Sequence, residues 1–174
     1  MATGRRGVHM HLGLVSFGLV PLIVLAGLLL VPTRFGQLQQ MIAAAPPAVA
    51  AQLKSETVPF VINTLAAQIR VGITFPLLVG TALYFRNQNS EIHKRLMILA
   101  TLGPLPAALD RMTWLPSSVP VSPLTTELYP LLLAVPMIAW DLYRQRRLPR
   151  AYLIWLAALI PGAIWVAAAW NTPW

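Results

Sequence analysis

The chain contains no cysteine, which excludes disulfides, iron–sulfur clusters and thiolate metal sites. It is also poor in charge, and in acidic side chains above all. Charged residues are 10% of the 174, with 5 Asp and Glu against 13 Lys and Arg; a soluble domain carries about 25%. Connecting chain is scarce as well. Five apolar stretches, near residues 8–31, 62–85, 96–115, 124–143 and 151–170, take up most of the sequence. Each has roughly the ~20 residues a helix needs to cross a bilayer core. Hydrophobic residues reach 57%, and too little chain remains for a soluble domain. The expected fold is therefore all-α: one polytopic transmembrane helical-bundle domain, residues 1–174, with five spans and the lipid bilayer as its first partner.

The formal charge is +8. In a soluble protein that would prompt a nucleic-acid reading. Here the basic residues stand in short loops beside apolar runs, the pattern that sets membrane orientation, and no nucleic-acid partner is expected. Five spans place the N-terminus, the 87–91 loop and the 144–150 loop on one side. That side carries Arg5, Arg6, Arg86, Lys94, Arg95, Arg144, Arg146, Arg147 and Arg150. The other side has Arg34, Lys54, Arg70 and Arg111. The excess predicts N-inside, C-outside, with Trp170 and Trp174 as an aromatic anchor at the outer interface. Arg5 and Arg6 before an apolar run, with Ala43–Ala45 beyond it, imitate a signal peptide. The run exceeds the ~7–15 residues of such a segment, and it reads as the first spanning helix.

The one long connection is expected on the outside at residues 32–61, with a short interfacial helix near 37–45. Short loops elsewhere make successive helices antiparallel neighbours. No internal repeat is visible, so an inverted-repeat transporter gains no support. Every stretch holds proline, among them Pro21, Pro76, Pro104, Pro106, Pro130, Pro136 and Pro161. Neighbouring helices can re-satisfy the freed carbonyls; kinked packing is the plain reading and a widened mid-depth cavity the sharper one.

Ionisable residues within spans are where function is sought. His93, Met97, Ala100, Pro104, Ala107 and Arg111 follow a 4-3-4-3-4 spacing, one stripe with a base at each end. Glu127, Leu131, Ala134, Ile138 and Asp141 follow 4-3-4-3, with an acid at each end. Antiparallel neighbours would put Arg111 near Glu127 at the outer level, and His93 near Asp141, beside Arg95, at the inner edge. Asn63, Arg70, Thr74 and Thr81 form a further stripe that should face protein, since lipid offers no partners. Arg70 lies 16 residues before Arg86, or ~24 Å along a helix, shallow enough to snorkel. Arg70, Asp110, Arg111 and Glu127 thus make a candidate outer cluster, either an ion-pair network or a site for an anionic headgroup or substrate.

The histidines, His9, His11 and His93, all fall at the predicted inner edge. His9 and His11 point to different helix faces, so one of them with His93 would supply a haem b ligand pair; the plainer reading is interfacial histidines and a His–Asp pair. No ligand spacing indicates a metal, and no lysine within a span suits retinal. Ala158, Gly162 and Ala169 give the last helix a small-residue face, for packing within the bundle or for a membrane-protein partner or homo-oligomer. Trp155 and Trp165 dress the rest of that helix.

Tyr84–Asn87, His93-Lys94-Arg95-Leu96-Met97, Ala107–Arg111 and Leu115-Pro116 resemble uncharacterised bacterial integral membrane families. These open a helix with His-x-Arg-x-Met and place an Arg near its far end. Asp141-Leu142-Tyr143-Arg144 before a basic loop is similar to a later segment of some members. The likeness covers about a third of the chain and implies His93, Arg95, Met97, Arg111 and Asp141 as family-type positions. Some members have His-Pro where this chain has Leu148-Pro149, so any role of that His is absent here. Likeness to haem-carrying four-helix cytochromes stops at the fold, because two His pairs are missing. The families have no assigned activity, and no motif here fixes a reaction. The expected protein is a multi-pass, non-catalytic binding or accessory subunit of the bacterial inner membrane, with no cofactor. The alternatives are a haem-binding redox protein and a small transporter or lipid-binding protein using the outer cluster.

Overall fold

The first helix, α1, runs from Thr3 to Ala44 with Pro21 and Pro32 inside it. It continues through the position where the long connection was expected to begin. Gln37–Ala44 is rich in Gln, Met, Leu and Ala, good helix formers, and Pro32 alone does not stop a helix in an apolar setting. The break comes at Pro46-Pro47. A residue ahead of proline avoids the helical region, and Pro46 is extended at φ −54°, ψ 151°. Pro47 then opens α2 (Pro47–Gln52), which passes through a π turn at Leu53–Thr57 into α3 (Val58–Phe85). The expected outer loop at 32–61 is thus almost wholly helical.

These coordinates form a computed structural model that describes residues 3–172, without the side chains of residues 3–6, 8–10 and 12. Arg5, Arg6, His9 and Trp174 therefore lie outside the described side chains. The described chain is all-helical, 81% helix with no strand. Three segments are long and apolar enough to cross a membrane: Gly13–Ala44, Pro47–Phe85 and Arg150–Ala169.

After a short turn, α4 (Ser90–Leu102) starts at Asn89, whose side chain accepts hydrogen bonds from the Glu91 and Ile92 amides at 3.1 and 3.0 Å. Such a cap satisfies donors the first helical turn leaves open. The stretch expected at 96–115 does not continue as one helix. Gly103-Pro104-Leu105-Pro106 removes two amide donors within three residues and ends α4; only the short α5 (Pro106–Leu109) follows. An irregular segment leads to α6 (Leu124–Gln145), and Pro149 starts α7 (Arg150–Ala169).

Helix α3 is the hub, packed against α1, α4 and α7. The core between α3, α4, α6 and α7 is built on Trp155, Tyr152, Leu96 and Leu99, each at most 1% exposed. Alanines 82, 100, 134 and 151 are also at most 1% exposed. Small residues at crossings let backbones approach closely, the usual device where lipid supplies no hydrophobic drive. The small face of α7 is likewise used within the chain: Ala169 is buried, Ala158 packs on the core, and a Cβ on Gly162 would stand 2.7 Å from Arg70 Cγ.

Candidate functional site

Polar side chains gather at the two ends of the bundle. At the end where α3 starts and α7 finishes, Arg70 is 2% exposed on a face shared with Asn63 and Thr74, both buried. It does not snorkel. Its aliphatic stem runs over Gly162 of α7, and its Nη2 stands 3.1 Å from Glu127 Oε1 of α6. One ion pair thereby ties α3, α7 and α6 together. Its alignment is imperfect. All three guanidinium nitrogens and both carboxylate oxygens lack a hydrogen-bond partner among the described residues.

The expected Arg111–Glu127 pair is replaced by Arg70–Glu127. Because α4 ends early, Arg111 falls in the irregular segment after α5, where it is exposed and donates to the Ala107 carbonyl. Asp110 is exposed beside it. Of the four residues proposed as one cluster, the structure joins Arg70 to Glu127 and leaves Asp110 and Arg111 at the surface.

One level further out, Asn63 and Asn171 exchange hydrogen bonds: Asn63 Nδ2 donates to Asn171 Oδ1 at 2.8 Å, and the Asn171 amide to Asn63 Oδ1 at 3.0 Å. Asn171 Nδ2 donates to the Val121 carbonyl at 3.3 Å, and Trp170 Nε1 to that of Pro120 at 3.0 Å. This clasp holds the irregular segment to the end of α7. It rims a cavity of about 400 Å³ lined by Glu56, Phe60, Asn63, Pro120, Val121 and Asn171. Nothing in the sequence pattern marked Asn171; it takes a positive φ of 59°, a conformation in which Asn is favoured.

The opposite end holds a closed network. Arg95 of α4 grips Asp141 of α6 with two parallel bonds, Nε to Oδ2 at 2.6 Å and Nη2 to Oδ1 at 2.7 Å. Tyr152 of α7 donates to Asp141 Oδ2 at 2.6 Å, and Arg95 Nη1 also reaches Glu91 at 2.5 Å. Bidentate charge-assisted bonds of this kind are the strong ones. The hydrogen bond from Arg95, with Lys94 nearby, holds the exposed Glu91 carboxyl below the usual carboxylate range. Its contribution is present above the unfolded-state value and fades as pH falls through the lowered one.

His93 does not meet Asp141. Its Nδ1 lies 2.8 Å from the Ala82 carbonyl of α3, so the nitrogen donates there; Arg95, two positions on and on a different face of α4, takes the acid instead. His11 Nδ1 faces the Gly7 carbonyl of its own helix at 2.8 Å. Among the described residues no group of three His, Asp or Glu is placed to hold a metal.

Comparison with known proteins gives no match: no protein-family model fits the chain, and neither a curated protein nor a solved structure is significantly similar.

The close approach at Gly162 makes a testable point. Gly162→Ala would set a methyl 2.7 and 2.9 Å from Arg70 Cγ and Cδ, atoms in mid-chain that cannot swing away while the guanidinium stays on Glu127. The expected loss is about 1–3 kcal/mol, the usual cost of overpacking, read as a lower melting temperature in detergent. Ala158→Gly, on the same helix but away from Arg70, should not reproduce it through this contact; equal stability of wild type and Gly162→Ala would show the approach to be looser.

Proposed function

We propose that the chain is a multi-pass inner-membrane protein of five passes, N-inside and C-outside, serving as a non-catalytic binding or accessory subunit of a membrane complex. The observation that carries this reading is the closure of its interior charges on one another. Arg70 with Glu127, and Arg95 with Asp141 and Tyr152, each link three helices of the same chain. Intramembrane charges without such a role commonly mark pathways or relays; here they act as internal fasteners. The five-pass reading draws on α4 and α6, which lie beside the three long apolar segments and return the chain between the two ends. The likeness of the His93–Met97 element to uncharacterised membrane families agrees with it.

Helix α1 supplies the surface for association. The best apolar window of Gly13–Ala44 is 0% buried, and Leu14, Phe17, Leu22 and Leu29 are each more than 60% exposed. Mild-detergent purification after in-membrane crosslinking should yield the chain in a complex of fixed stoichiometry, with no Soret absorption. A solitary chain in every detergent, or a red preparation that loses colour on His93→Ala, would sink the reading, the latter in favour of haem.

A further inference from the structure

The Arg95 end carries far more cation than its own acids consume. Arg95 takes Asp141 and Glu91, with Lys94 beside Glu91 at 3.5 Å. Arg86, Arg144, Arg146, Arg147 and Arg150 are all exposed, and their side chains have no ion-pair or hydrogen-bond partner among the described residues. At the other end, the exposed Arg34, Lys54 and Arg111 are accompanied by exposed Glu56 and Asp110.

Two further observations say what the free cations face. Tyr84, Trp140 and Tyr143 stand 66%, 59% and 81% exposed on the last turns of α3 and α6. Exposed Tyr and Trp at helix ends mark the headgroup level of a bilayer, and these lie immediately below the arginines. The second observation is Arg146 itself. It caps α6 in the left-handed conformation, φ 54° and ψ 17°, a position usually given to glycine because side chains are strained there. Glycine would be the easier residue for the turn, yet the chain places a guanidinium there.

We propose that this end is a binding surface for anionic phospholipid headgroups, with the α6–α7 loop, Arg144 to Arg150, as its centre. Guanidinium forks match phosphate oxygens, and the aromatic ring below fixes their depth at the phosphates. The partner is the leaflet this end meets, whichever side of the membrane that is, and the surface does not require the accessory-subunit reading.

Native mass spectrometry of the detergent-purified full chain, offered equimolar phosphatidylglycerol and phosphatidylcholine of identical acyl chains, tests this. Wild type should retain phosphatidylglycerol preferentially. Each Lys or Arg near an anionic surface is worth about fivefold in affinity, so Arg146→Gly should reduce the preference about fivefold. It should do so with an unchanged or raised melting temperature, because glycine relieves the turn; a merely structural Arg146 gives no such combination. Arg147→Gln and Arg150→Gln should reduce it further, and Arg34→Gln at the other end should not. No preference in wild type, an unaltered preference in Arg146→Gly, or an equal drop in Arg34→Gln would each overturn the proposal.

Discussion

Glu127→Gln should lower the stability of the bundle by about 3–5 kcal/mol, the cost of stranding one partner of a buried ion pair. Arg70 is 2% exposed, and Glu127 is its ion-pair partner. With the carboxylate gone, the guanidinium is left charged among α3, α6 and α7, with an amide oxygen that compensates it poorly. The double variant Arg70→Met, Glu127→Leu should recover most of the loss, since apolar replacements of similar volume often match or better a buried pair. Arg111→Gln provides the contrast. Its side chain is exposed and bonded to its own backbone neighbour Ala107, so the change should stay within about 0.5 kcal/mol. Denaturation in one detergent, followed by circular dichroism, measures all three. A Glu127→Gln protein as stable as Arg111→Gln would mean that Arg70 is stabilised by something other than this carboxylate.

The second large effect belongs to Asp141. Asp141→Asn removes the charge that receives two bonds from Arg95 and one from Tyr152, and an amide cannot accept all three. Hydrogen bonds to charged groups contribute about 1.5–3 kcal/mol, and the group is 5% exposed; a loss of about 3 kcal/mol is expected. It should appear first as local opening, with faster hydrogen exchange at the end of α6 and the start of α7. Tyr152→Phe should cost less, about 1–2 kcal/mol. His93→Ala should cost about 1 kcal/mol, because the described bond of its side chain is to one backbone carbonyl. If His93→Ala proved the more damaging, this end of the bundle would be organised around the histidine rather than the carboxylate.

The sequence carried the helical class and the polar faces openly, because both follow from composition and a 3.6-residue period. Asn63, Arg70 and Thr74 share a buried face, and Arg95 and Asp141 meet at the opposite end of the bundle. Partner choice was harder to read. The stripe from His93 to Arg111 presumed one continuous helix, and Gly103-Pro104-Leu105-Pro106 breaks it. A kink is the expectation for such prolines; here Pro104 and Pro106 together remove two donors within three residues, and the helix does not continue. Once α4 stops at Leu102, Arg111 loses its level, and Glu127 is reached from α3 instead. Gly162 held the complementary hint. A small residue on α7 suits another helix, and here it suits the stem of an arginine. At the other end, His93 and Arg95 stand two apart and so point to different faces of α4: His93 turns to α3 and Arg95 to Asp141 of α6. The stretch 32–61, expected as a connection with one short helix at 37–45, is helical for the converse reason: apart from Pro46-Pro47, its residues favour helix.

Membrane disposition underlies both polar ends, and the absence of cysteine allows a direct measurement. Single cysteines at Ser90 and Gln145 report the Arg95 end, and at Ser55 and Ser117 the Arg70 end. Labelling with a membrane-impermeant maleimide, in intact spheroplasts and in inverted vesicles, should modify Ser55→Cys and Ser117→Cys from outside, and Ser90→Cys and Gln145→Cys only in inverted vesicles. Labelling of both pairs from the same face would contradict a bundle that crosses the bilayer with its charges fastened at opposite ends.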